Sequence, residues 1–299
     1  MEARTVKADI LLMLTAAIWG CAFVAQRVGM DYVGPFTFNG VRFALGALAL
    51  VPLIQRMDAG RNARGVLERA SFKKLLFGGS LLGVALFAGS TLQQVGIVYT
   101  TAGKAGFITG LYVVIVPLLG LFFRQRTGWG TWLGVALAVV GMYLLSGQGL
   151  VTLATEESLG DLLVFIGAFF WAGHVLLIGW LSPGMDPTDA VKLSSVQFAA
   201  CSVLSMATAF VVEDVTAAGI WAAGLPILYG GVMSVGVAYT LQVVAQRDAK
   251  PAHAAVILSL ESVWAAFAGW LMLGETLGTA GLVGCGLMLA GMLVSQLRQ

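Results

Sequence analysis

A few polar side chains sit where polar side chains are costly. Glu261 lies about ten residues into the apolar run 252–273, and Arg42 about seven residues into the run 35–55. A charge in mid-membrane costs about 2.5–3.5 kcal/mol on insertion scales, so such a residue normally has a partner or a task. Their opposite signs predict a buried Arg42–Glu261 pair. Glu261 has two candidate roles, taking and releasing a proton, or a structural one in a static bridge or a hydrogen bond to backbone near a helix terminus, and Arg42 has a second candidate role, snorkelling its stem outward to the interface. Gln93 and Gln242 are the amides best placed to hold a ligand, because a primary amide donates and accepts and so suits a carboxylate or an ammonium. The competing role is an interhelical hydrogen bond of about 0.6–2 kcal/mol. Trp19 and Phe23 share one helix face with Gln26 at spacings i, i+4 and i+7, and Trp171 precedes His174 on another helix. The rings predict walls for an apolar or aromatic ligand, with plain packing as the alternative. His174 is read either as a proton carrier or as a satisfied core histidine. Ser90, Thr109 and Tyr239 complete the candidate substrate-binding set, with Tyr112, Ser259 and Ser262 as further polar residues on the same helices.

Groups this scattered suit recognition better than bond-breaking. The chain has no HExxH and no G-x-S-x-G, the spacings that would mark a metallopeptidase or a serine hydrolase. Cys21, Cys201 and Cys285 lie singly in apolar runs, without metal-ligand spacing. Gly281–Gly286 reads G-x-x-G-x-G but follows no strand, and G-x-x-x-x-G-K-[ST] is absent. The expectation is no enzyme, no metal, no cofactor and no ATP-binding motif in this chain, with a small molecule and the lipid bilayer as its partners. A channel or an intramembrane enzyme is the alternative from a different class.

The elements that must position these residues are membrane helices. Of 299 residues, 59% are hydrophobic and 11% charged, against about 25% charged in soluble domains. That is too little charge to cover a water-facing surface, and a net charge of +2 offers nothing to a nucleic acid. A hydrocarbon core of about 30 Å needs roughly 20 apolar residues per helix. Ten runs qualify: 9–27, 35–55, 75–98, 104–123, 128–147, 160–181, 190–212, 221–245, 252–273 and 278–297. With the N-terminus inside, fourteen of the 17 Lys and Arg fall on the cytoplasmic side, six of them in the one long loop, 56–74. Positive residues favour that side, so both termini are expected to be cytoplasmic. His253, at a helix start, is expected at the surface. The sequence sets no oligomeric state.

The second half restates the first. Asp9 and Trp19 recur as Asp161 and Trp171, 152 residues on; Thr91-Leu92-Gln93 recurs as Thr240-Leu241-Gln242, 149 on; Gly134 and Gly141 recur as Gly284 and Gly291, 150 on. Two units result, residues 1–150 and 151–299. Five helices per unit is an odd number, so the second copy is inverted in the membrane, an arrangement common among transporters. Helices 5 and 10 are almost wholly apolar and are expected to scaffold the bundle from outside, leaving helices 1, 3, 4, 6, 8 and 9 to line a cavity.

Several stretches resemble the drug/metabolite transporter superfamily, and within it the EamA-type exporters. They are Ala16-Ala17-Ile18-Trp19-Gly20, Val41-Arg42-Phe43-Ala44, and Leu260-Glu261-Ser262-Val263 leading to Leu273-Gly274-Glu275, then Gly284 and Gly291. The resemblance covers the whole chain. It implies an all-α polytopic fold of ten helices in two inverted five-helix repeats, and export of small metabolites from a bacterial-type inner membrane. Amino acids are the leading expectation, because aromatic amino-acid exporters of the YddG type belong to the superfamily; other metabolites or drugs are the alternative. Family members often carry Pro after the first Glu. Ser262 stands there, which predicts a straighter helix 9. Glu275 is expected to support the start of helix 10.

Overall fold

The computed structural model describes residues 2–63, 71–122, 128–145, 156–274 and 278–296. Among them the regular structure is entirely helical. We number the helices α1 (Glu2–Gly29), α2 (Pro35–Ala63), α3 (Phe72–Tyr99), α4 (Ala102–Phe122), α5 (Trp129–Leu145), α6 (Glu156–Leu181), α7 (Pro187–Val212), α8 (Gly224–Ala245), α9 (Pro251–Leu273) and α10 (Thr279–Gln296). Eight are long and apolar enough to cross a membrane; α5 and α10 hold shorter apolar stretches, Trp129–Gly141 and Thr279–Gly291. Glu275, Gln125, Arg124, Arg126 and the segment 64–70 lie outside the described residues.

The helix ends follow from local sequence. Asp186 caps α7, its side chain accepting from Thr188 N, with Pro187 at the first helical position, where a missing N–H costs nothing. Gly274 ends α9 with φ +68, a left-handed conformation that glycine adopts without a Cβ clash. The loop expected over 56–74 begins later than the hydropathy implies. The polar extension of α2 is held helical by α7, with Arg61 Nη1 2.9 Å from Asp189 Oδ1 and Lys192 Nζ 2.7 Å from Asp58 Oδ1.

Three spans are irregular where they pass the bundle's middle. α4 is interrupted at Leu111, where Leu111 N bonds Ile108 O and Val114 N bonds Leu111 O. α9 is interrupted at Ser259–Leu260 in the same i→i+3 manner. The straight helix 9 expected from Ser262 is therefore corrected: Ser259 Oγ donates to Val256 O at 2.8 Å, a side-chain bond that competes with the helical ladder. α8 runs as a π-helix through Tyr229–Tyr239; such segments often mark functional sites.

Two contacts fix the scaffold. α5 packs on α10 through glycines: a Cβ on Gly141 would lie 2.5 Å from Gly284 O, and one on Gly291 2.7 Å from Gly134 O. Small residues let helix backbones meet this closely. α2 and α7 are tied at both ends, by the ion pairs above and by Glu213, whose carboxylate accepts from Phe36 N and Thr37 N at 2.8 Å and from Thr37 Oγ1 at 2.7 Å. The α2–α7 ties place the start of α1, the end of α2, the end of α6 and the start of α7 at one end of the bundle, and the start of α6 at the other.

Each end also carries an ion pair between helices of the two halves. Asp9 Oδ1 on α1 meets His253 Nε2 on α9 at 2.8 Å. Asp161 on α6 meets Lys104 Nζ on α4 at 2.7 Å and accepts from Thr100 Oγ1 at 2.8 Å. His253, expected at the surface, is buried, because α1 packs over the start of α9 and supplies this carboxylate.

Candidate functional site

A cavity opens where α1, α3, α4, α6, α8 and α9 converge, with α2 joining through Arg42. α1 supplies Trp19, Phe23 and Gln26; α3 Gln93; α4 Thr109 and Tyr112; α6 Trp171, His174 and Val175; α8 Ser234, Tyr239 and Gln242; α9 Glu261. Of the substrate-site and charged candidates read from the sequence, all line this cavity except Ser90. Ser90 sits behind the wall: its carbonyl accepts from Asn39 Nδ2 at 3.1 Å, and its hydroxyl lies 3.7 Å from Cys201 Sγ. The open volume is about 30 Å³, room for a water molecule or two and too little for a metabolite. The protein is contracted here around its own side chains.

The rings gather on Tyr239. Its centroid lies 4.5 Å from Trp19, 6.1 Å from Trp171 in a stacked arrangement, 6.1 Å from Phe43 and 6.0 Å from Phe198. Both repeated tryptophans have satisfied indoles. Trp19 Nε1 donates to Ser234 O at 3.2 Å, and Trp171 Nε1 to Gln93 Oε1 at 2.9 Å. His174 Nε2 bonds Gln197 Oε1 at 2.9 Å.

The repeated glutamines differ. Gln93 Nε2 donates to Gln26 Oε1 at 3.0 Å, while its Oε1 accepts from Trp171 and, at 3.4 Å, from Thr109 Oγ1. Its amide joins four helices. Gln242 Oε1 is buried without a hydrogen-bond partner; Tyr112 Oη and Glu261 Oε1 stand beside each other without a well-formed hydrogen bond.

The expected Arg42–Glu261 ion pair is not formed. Arg42 is 2% exposed, so it does not snorkel either. Its Nε donates to Asn39 Oδ1 at 3.0 Å, and its Cζ stands 5.0 Å from the Phe43 centroid and 5.4 Å from that of Phe38. Asn39, one turn earlier, is itself fixed to the α3 carbonyl, so the guanidinium is caged on the α2–α3 side. Glu261, 3% exposed, stands across the cavity where α9 resumes after its break. Val175 and Ser234 line the wall without any sequence signal: Val175 is one apolar residue among many, and Ser234 falls within the π segment.

Helices of membrane length, breaking or widening around an enclosed aromatic and polar cavity, define a polytopic α-helical membrane protein with a central cavity. The model of the EamA-like transporter family matches the chain twice, over residues 6–147 and 158–296. The chain belongs to that family and is a membrane transporter. A relative from Archaeoglobus fulgidus named "Uncharacterized transporter" is 34% identical, with 97% of this chain and 86% of the relative covered. The "Uncharacterized inner membrane transporter YedA" of Escherichia coli K12 is 29% identical over 87% of this chain and 81% of its own. A solved crystal structure shares the fold at a TM-score of 0.75 and 18% identity, covering 97% of this chain and 96% of that one.

Proposed function

We propose that the protein is a secondary transporter of the plasma membrane that exports small metabolites, amino acids foremost and aromatic ones among them, by alternating access through the central cavity. One observation carries this reading: Gln242 Oε1 is buried at the cavity without a partner, and the Tyr112 hydroxyl and Glu261 carboxyl, set beside each other without a well-formed hydrogen bond, line the same cavity. Buried polar atoms are nearly always hydrogen-bonded, and here the missing partner is a ligand. The ring-lined walls suit an apolar or aromatic side chain, and loading requires the rings around Tyr239 to part.

Alternation draws on the repeat. Ten spans with cytoplasmic termini accord with the Lys and Arg distribution. Inverted halves are supported by the double family match, by the matching breaks of α4 and α9, and by the reciprocal contacts Gly141–Gly284 and Gly134–Gly291. The same offsets relate Asp9–His253 to Asp161–Lys104, at opposite ends of the bundle. Each pair is a latch, the first closing the cytoplasmic end and the second the outer end. Both are closed here, in keeping with the contracted cavity.

Flux into proteoliposomes tests the assignment. A carrier gives saturable, substrate-specific flux of unchanged molecules; flux that rises without saturation marks a channel, and a chemically altered product marks an enzyme.

A further inference from the structure

Arg42 is a cation without an acid. Among the described residues its side chain has one hydrogen bond, to Asn39, and two aromatic faces; neither is a carboxylate. Removing a guanidinium from water is expensive unless charge and hydrogen bonds return, and cation–π contacts with two rings offset only part of that cost. The terminal nitrogens, which form the fork that matches a carboxylate, make no hydrogen bond with the described residues, and Arg42 lines the cavity. Across the cavity the Glu261 carboxyl and the Tyr112 hydroxyl stand beside each other, and neither Glu261 Oε1 nor Tyr112 Oη makes a well-formed hydrogen bond.

As ions Arg42 and Glu261 would attract strongly in a low-dielectric interior, yet the protein holds them apart. Asn39, Phe38 and Phe43 fix one on α2, and the break in α9 places the other beside α1. Between them stands Tyr239, packed against Phe43 on one side and Trp19 on the other. A guanidinium and a carboxyl group pre-set apart are complementary to a ligand that brings a carboxylate to the first and an ammonium to the second.

We infer that the cavity recognises a zwitterion: Arg42 receives the ligand's carboxylate, and Glu261, with the Tyr112 hydroxyl beside it, receives the ammonium. The inference rests on reading this cavity as the transport site. It moves polar recognition away from Gln93, whose amide is consumed by Gln26, Trp171 and Thr109.

The test is calorimetric titration of the full chain in detergent with three ligands: L-phenylalanine, L-phenylalaninol, in which the carboxylate is an alcohol, and 3-phenylpropionate, which lacks the ammonium. Wild type should bind L-phenylalanine about 10- to 100-fold tighter than either analogue, the range expected of a hydrogen bond to a charged group. Arg42→Gln should weaken L-phenylalanine by a similar factor and leave L-phenylalaninol unchanged. Glu261→Gln should weaken L-phenylalanine and leave 3-phenylpropionate unchanged. Melting curves check that the variants fold, and the ligand series on wild type stands without any variant. Equal binding of all three ligands by wild type overturns the inference, as does an Arg42→Gln variant that weakens acid and alcohol alike. Wild type that binds no carboxylate overturns it together with the amino-acid assignment; saturable flux of another metabolite would then leave the transporter reading standing.

Discussion

Asp161→Asn should open the protein at one end and Asp9→Asn at the other. Asp161 and Lys104 are each about a fifth exposed, 21% and 20% at the side chain. That lies between the surface regime, about 0.2–1 kcal/mol per pair, and the buried one, about 3–5 kcal/mol when one partner is removed. Asparagine keeps the acceptor for Thr100 and loses only the charge, so a cost of about 1–2 kcal/mol is reasonable, which shifts the closed-to-open ratio roughly 5- to 30-fold. His253 and Asp9 are more buried, 2% and 13%, so Asp9→Asn should shift its end at least as far. The assay replaces Cys21, Cys201 and Cys285, introduces a single cysteine at Thr109 in the cavity wall, and follows its modification by a membrane-impermeant thiol reagent in vesicles of each orientation. Asp161→Asn should raise the rate from outside about tenfold and leave the cytoplasmic rate unchanged; Asp9→Asn should do the reverse. Acceleration from the same side in both variants, or from neither, would refute the latch reasoning and the inverted arrangement with it.

Three further outcomes follow from contacts described above. Arg61→Ala leaves Asp189 buried at the α2–α7 tie without its guanidinium, and should lower stability by about 3–5 kcal/mol, seen as a large fall in melting temperature in detergent. Gln93→Ala strips partners from Trp171 Nε1 and Gln26, a loss of about 1–3 kcal/mol, whereas Gln242→Ala, whose Oε1 has no partner to lose, should melt within a degree or two of wild type. Equal destabilisation by the two would contradict the different roles assigned to them. Gly141→Leu forces a side chain against the Gly284 carbonyl and should cost about 1–3 kcal/mol, with Gly291→Leu costing a similar amount by the reciprocal contact. Thermal unfolding of both variants checks it.

Much of the architecture was legible because membrane helices are written in composition. The apolar runs named the helices, and the rule that unusual polar residues face a cavity gathered Trp19, Gln93, Trp171, His174, Tyr239, Gln242, Glu261 and Arg42 around one cavity. Pairing was less legible. Opposite signs alone pointed to Arg42–Glu261, yet Phe38, Asn39 and Phe43, all within one turn of Arg42, build a local cage that competes with a distant carboxylate. His253 looked like a surface residue because its neighbours in sequence are at a helix start; its burial depends on Asp9, 244 residues away. Ser262 in place of proline removed one cause of a break in α9, but Ser259 supplied another through its hydroxyl, which bonds the Val256 carbonyl. The π segment of α8 has no sequence mark at all, since its glycines read equally well as packing residues.

The most direct test of the account is counterflow. Proteoliposomes are preloaded with unlabelled L-phenylalanine and diluted into radiolabelled L-phenylalanine, with wild type beside Arg42→Gln. Label should accumulate transiently and only with the preloaded amino acid, and this should be lost in the variant while the folded protein remains. Label that equilibrates at the same rate with and without preloading, or counterflow that survives Arg42→Gln unchanged, would contradict it.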